Sequence, residues 1–132
     1  MSGTSGSAKR VDEGAVTLTV PARPEYLRLV RLAAADTGTR AELSIEDIED
    51  LRIAVDELTY ALVGDDPVDE VLTLTYSATP GFVEIEGSIP APGTPADVSE
   101  LSQSIIGAVV DEHEIVDDGI TRRFRFTKRS RL

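Results

Sequence analysis

Residues 44–64, SIEDIEDLRIAVDELTYALVG, leave the chain few choices of fold. Ser44 followed three places later by Asp47 is a capping-box pattern, in which side chains satisfy the backbone donors that open a helix. Ile48, Leu51, Val55, Leu58 and Leu62 then recur at steps of three and four, which at about 100° per residue stacks them into one apolar stripe facing a core. Asp50, Ala54, Glu57 and Ala61 share the flank of that stripe, so the spacing predicts that a carboxylate and a small side chain look outward together. Any chemistry on this helix is expected there.

The 132 residues suit one domain, expected over 15–129, behind a Gly/Ser-rich tail at 1–14 that is expected to be disordered. That tail has no apolar run and does not read as a signal peptide, and no stretch approaches the ~20 apolar residues of a membrane span. With no cysteine, disulfides, thiolate metal sites and thiol nucleophiles are excluded. The expectation is a soluble cytoplasmic protein with no membrane partner.

Net charge is −11 and unevenly placed. Residues 1–119 hold 7 Lys/Arg against 24 Asp/Glu, a net −17, while 120–132 hold six basic residues and no acid. A body this negative is repelled by phosphate backbones and attracts basic surfaces, which argues against direct nucleic-acid binding and for a basic protein partner; solubility alone is the bland alternative. Arg122, Arg123, Arg125, Lys128, Arg129 and Arg131 alternate with Phe124 and Phe126, so they read as a half-buried strand running into a frayed basic tail.

Taken in order, VTLTV at 16–20 is a short strand ended by Pro21. Pro24 suits the first turn of a helix through 38, with Leu27, Val30 and Ala34 on its apolar face and Gly38 as the left-handed stop. After the helix at 44, the charged connection DDPVDE at 65–70 leads to alternating strands at 71–76 and 82–89, joined by a turn at Ala78–Gly81. PAPGTPAD at 90–97 reads as an exposed loop. Val98, Leu101, Ile105 and Ala108/Val109 trace a third amphipathic helix, and strands at 113–116 and 120–128 form a hairpin around Asp118-Gly119. Helices this amphipathic need a sheet face to cover, so the fold class is α/β: a two-layer sandwich with a mixed, largely antiparallel sheet covered on one face by three helices.

PARPEYLRLVR at 21–31, SIEDIEDLRIAVDEL at 44–58 and ELSQSIIGAVVDEHEIV at 100–116 resemble the anti-sigma-factor serine kinases, a branch of the GHKL (histidine-kinase-like) ATPases, over roughly residues 16–128. The resemblance implies the GHKL sandwich, and it implies that Glu57, in Ala54-Val55-Asp56-Glu57, stands where family members polarise an attacking hydroxyl or water. It also implies that Ala61 stands where an Asn holds magnesium, and a methyl group offers no oxygen to that cation. The family's first glycine box aligns with Gly87-Ser88-Ile89-Pro90-Ala91-Pro92-Gly93, which has no Asp before Asp97. The second aligns with Ser99–Gln103, which has no glycine and carries Glu100 where a phosphate would be received. The chain is thereby identified as a divergent member with degenerate nucleotide boxes.

Each candidate has a plainer reading. Glu57 is also an ordinary solvated helix carboxylate. His113 has no neighbouring Cys or second His to make a metal site, and Ser102 and Ser104 have no base at a recognisable spacing. Glu42, Glu46, Asp47, Glu49 and Asp50 read as a solvated face complementing a helix N-terminus, or as a partner surface. The expected function is that of an anti-sigma-factor-like regulator that sequesters a sigma factor, is released by an anti-sigma-factor antagonist, pairs as a homodimer and needs no cofactor or metal. The alternatives are an active serine/threonine kinase using ATP and magnesium with Glu57 as base, and a non-enzymatic dimerisation or interaction domain.

Overall fold

The computed structural model describes residues 15–64, 69–90 and 98–131. The expectations for the tail at 1–14, most of the 65–70 connection and the loop at 91–97 lie outside the described residues. Five strands, β1 (Ala15–Pro21), β2 (Val71–Thr79), β3 (Phe82–Pro90), β4 (Glu112–Asp117) and β5 (Thr121–Arg129), join three helices, α1 (Leu27–Arg40), α2 (Ile45–Val63) and α3 (Glu100–Val109). A single 3-10 turn at Pro24–Tyr26 leads into α1.

The strands lie in the order β1-β2-β3-β5-β4. Every pairing is antiparallel, which carries the expected mixed, largely antiparallel sheet to its fully antiparallel limit. The reason is connectivity: β2–β3 and β4–β5 are hairpins closed by turns with Gly81 at φ 76 and Gly119 at φ 85, and the longer crossings return β2 beside β1 and β5 beside β3 in the opposite sense. Alternation along the strands sends Leu72, Leu74, Tyr76, Val83, Ile85, Ile89, Phe124 and Phe126 to one buried face. Leu51, Val55, Leu58 and Leu62 of α2, Val30 and Ala34 of α1, and Ile106 of α3 close that face from above. The result is a two-layer α+β sandwich consistent with the GHKL-like fold, with all three helices of the described residues on one sheet face. Among the described residues, no helix is long and apolar enough to cross a membrane.

Ser44 opens α2 as its spacing predicts, its hydroxyl accepting from the Asp47 N–H at 3.1 Å. Gly38 does not stop α1. The helix runs to Arg40, and Glu42 takes the left-handed conformation at φ 63, with the Leu43 N–H reaching the Gly38 carbonyl and the Glu42 N–H the Thr39 carbonyl. That is the Schellman pattern with glutamate in the usual glycine position. A Cβ on Gly38 would sit 2.8 Å from Ile48 Cγ1 and 2.9 Å from Leu51 Cδ1, so this glycine permits the close approach of α1 to α2.

The buried face of α3 is rotated from the expected one. Ile106 is fully buried, Ser102, Ile105 and Val109 are partly so, and Leu101 is 71% exposed. The basic end does not fray either: Arg122 and Lys128 lie on the inward face of β5 and are buried.

Candidate functional site

The flank of α2 expected to look outward is closed by α3. Ser99 caps α3, its hydroxyl accepting from the Ser102 N–H at 3.0 Å. This turn presents the Ser102 hydroxyl to α2, where it donates to Glu57 Oε1 at 2.7 Å. Ala54 and Ala61 beside Glu57 are buried. Ser102, read from sequence as lacking a base, therefore has a carboxylate partner; the pair joins two elements through one neutral donor and one acceptor. The signal for the start of α3 was present, since Ser99 precedes Ser102 by the capping interval that marks α2 at Ser44. What Ser102 would meet was not, because its partner lies 45 residues away.

The acidic run at the start of α2 is not a uniformly solvated face. Asp47 is fully buried and Asp50 partly so. Lys128 Nζ donates to Asp50 Oδ2 at 3.0 Å and to the Val109 carbonyl at 2.9 Å, and lies 3.5 Å from Asp47 Oδ1. Arg131 adds an ion pair to Asp50 at 2.8 Å and donates its backbone N–H to Asp47 Oδ2 at 3.2 Å. Burial pushes the Asp47 carboxyl up, but the Arg131 N–H, the Ser44 hydroxyl and Lys128 together hold it below its ordinary value of 3.8. The cluster ties the start of α2, the end of α3 and the end of β5 into one unit.

At the opposite end of β5, Arg122 pairs with Asp117 at 2.9 Å and donates to the Leu62 carbonyl at 3.1 Å, satisfying a backbone acceptor near the end of α2. Gly87, aligned with the first residue of a glycine box, has a packing explanation: a Cβ there would fall 2.5 Å from a ring carbon of Phe124. Gly93 and Asp97 lie outside the described residues. His113, on β4 opposite Phe126, lines a shallow open cavity with Asp111, Glu112, Glu114 and Arg125. Among the described residues no three His, Cys, Asp or Glu side chains gather as a metal site.

No family model matches the chain. It is similar to the serine-protein kinase RsbW of Listeria monocytogenes, 37% identical over 95 residues that cover 68% of this chain and 58% of that relative. The anti-sigma-F factor RsbW of Mycobacterium tuberculosis is 31% identical over 112 residues, covering 80% of this chain and 63% of the relative. A shorter match, 43% over 42 residues, links it to the serine-protein kinase RsbW of Bacillus velezensis. The chain thus spans about three-fifths of the length of the first two relatives. With the α+β sandwich, the capped central helix and Glu57 at its middle, these similarities lead to one conclusion: the chain belongs to the anti-sigma-factor serine kinase family.

Proposed function

We propose that this protein is a cytoplasmic anti-sigma-factor-like regulator that holds a sigma factor by protein–protein binding and no longer transfers phosphate. The observation that carries the loss of kinase activity is the closed flank of α2. There Glu57 is hydrogen-bonded by Ser102 at 2.7 Å, and the position one turn on is the Ala61 methyl. A magnesium triphosphate demands oxygen ligands and donors for its phosphates. Of the four residues on this flank, Asp50 is paired with Lys128 and Arg131, Glu57 is engaged by a hydroxyl, and the other two are alanines, a set that does not fit that group. What the family name then leaves is capture: an acidic body covers a basic surface of the sigma factor, and charge attraction speeds the encounter. Release by an antagonist that competes for the same surface, and pairing of two copies, complete the reading.

Calorimetry with Mg-ATP, run beside co-purification of a sigma factor, tests it. The expected result is sigma-factor capture that weakens as salt rises, with no magnesium-dependent nucleotide binding. Tight Mg-ATP binding together with phosphate transfer onto a serine of the antagonist would restore the second reading, an active serine kinase. That reading draws on the half-buried Glu57 being within hydrogen-bonding reach of a hydroxyl.

A further inference from the structure

The sheet ends on β1 at one side and β4 at the other. Among the described residues no strand pairs with the outer edge of either, and such an edge presents a row of backbone N–H and C=O groups able to take one more strand. The two edges differ in charge. β1, AVTLTVP, carries none and closes on Pro21, whereas residues 111–118, β4 with its two flanks, hold five acids in eight residues and no lysine or arginine.

Pairing with β5 sorts the side chains of β4 onto two faces. Glu112, Glu114 and Val116 share the face of Thr127, Arg125 and Arg123, while His113, Ile115 and Asp117 share the buried face of Phe126, Phe124 and Arg122. Glu112 and Glu114 are exposed, and with Asp111, His113 and Arg125 they line the shallow open cavity of about 500 Å³ beside the strand. Arg125, the one arginine or lysine on that wall, is already ion-paired with Glu84. On the other face Ile115 packs against the core and stays half-buried.

We infer that the outer edge of β4 takes an extended basic segment of a partner protein as a sixth strand of the sheet. Main-chain hydrogen bonds supply the attachment, and the segment's side chains alternate between the two faces. Its lysines or arginines then fall beside Glu112 and Glu114, and its β-branched residues beside Ile115. A second copy of this chain is a poor occupant, since β4 laid against β4 sets carboxylate against carboxylate. The segment needs neither a sigma factor nor a nucleotide, so this surface and the proposed function can fail separately.

Fluorescence anisotropy of the full chain with a labelled synthetic peptide of alternating lysine and valine tests the inference. Saturable binding is expected. Backbone N-methylation separates strand addition from charge attraction: of two peptides methylated at the two alternate sets of residues, the one whose methyls face β4 should bind about tenfold or more weakly, and the other as the parent does. Glu114→Lys should also weaken binding about tenfold or more, whereas Glu25→Lys, the same charge change in the 3-10 turn before α1, should leave it unchanged. Both glutamates are exposed, and unaltered thermal melts would show that the variants fold; the methylated peptides need no variant at all. Absence of saturable binding, undiminished binding of both methylated peptides, an equal loss in Glu25→Lys, or equal binding of a glutamate–valine peptide would overturn the assignment.

Discussion

Lys128 is 2% exposed, and a cation that deep is tolerated only if its charge is answered. Asp50, Asp47 and the Val109 carbonyl answer it. Replacing it with methionine fills a similar volume but leaves Arg131, whose side chain is 57% exposed, as the remaining cation beside the two carboxylates. We expect Lys128→Met to cost about 3 kcal/mol at neutral pH, measured by urea unfolding. The pH dependence fixes the cause. In the parent, the folded Asp47 carboxyl titrates below its ordinary 3.8, so its stabilising contribution is complete above that value and is lost as pH falls through the folded pKa. In the variant the Arg131 N–H and the Ser44 hydroxyl remain but the lysine's share of the offset to burial is gone, so the carboxyl moves up from its parent position and protonation becomes easier. The gap between the two proteins should therefore narrow on acidification, whereas a packing defect alone would keep it constant. Lys128 continues the two-residue register of Phe124 and Phe126, so its inward direction was readable in the sequence. Its acidic partners lie 78 and more residues away, and nothing local announces them.

Elements were more legible than their ends and faces. The period of α2, its cap at Ser44 and the hairpins all follow from local pattern. The end of α1 does not, because glycine has two uses and the sequence does not say which applies. Gly38 serves close packing, and the left-handed residue is Glu42, at a cost of about 1–2 kcal/mol for a residue with a Cβ. Two substitutions of opposite sign follow. Glu42→Gly should stabilise by about 0.5–1 kcal/mol, the relieved strain exceeding the added freedom of the unfolded chain. Gly38→Ala gains about 1 kcal/mol of helix propensity. Overpacking against the fully buried Leu51 costs about 1–3 kcal/mol, so the net effect should be destabilising. Chemical denaturation of both variants decides the matter, and stabilisation by Gly38→Ala would refute the packing role. The third helix shows the other limit. The expected Leu101/Ile105/Ala108/Val109 and the observed Ser102/Ile105/Ile106/Val109 are adjacent registers on one short helix, and the tie from Ser102 to Glu57 accompanies the second. The same long-range tie is why the sequence could reveal Glu57 and Ala61 but not that their flank is closed.

At the scale of the whole molecule, two electrostatic effects respond to salt in opposite ways. Exposed pairs such as Arg40–Asp36 and Arg52–Glu49 are worth about 0–1 kcal/mol each and are screened. The pairs that bind distant elements, Lys128 with Asp47 and Asp50 and Arg122 with Asp117, are buried or nearly so and are screened little. Against them stands the mutual repulsion of an acidic body, net −11 for the chain, which salt relieves wherever the charges face solvent. The acidic excess is the larger exposed quantity, because several of the basic residues that could balance it are turned inward. Raising sodium chloride from low to physiological ionic strength should therefore raise the melting temperature by roughly 3–5 °C, equivalent to about 1 kcal/mol. Circular dichroism melts at constant pH measure this directly. A fall in melting temperature over that range would mean that exposed ion pairs, rather than the buried clusters at the two ends of β5, carry the electrostatic stability of the fold.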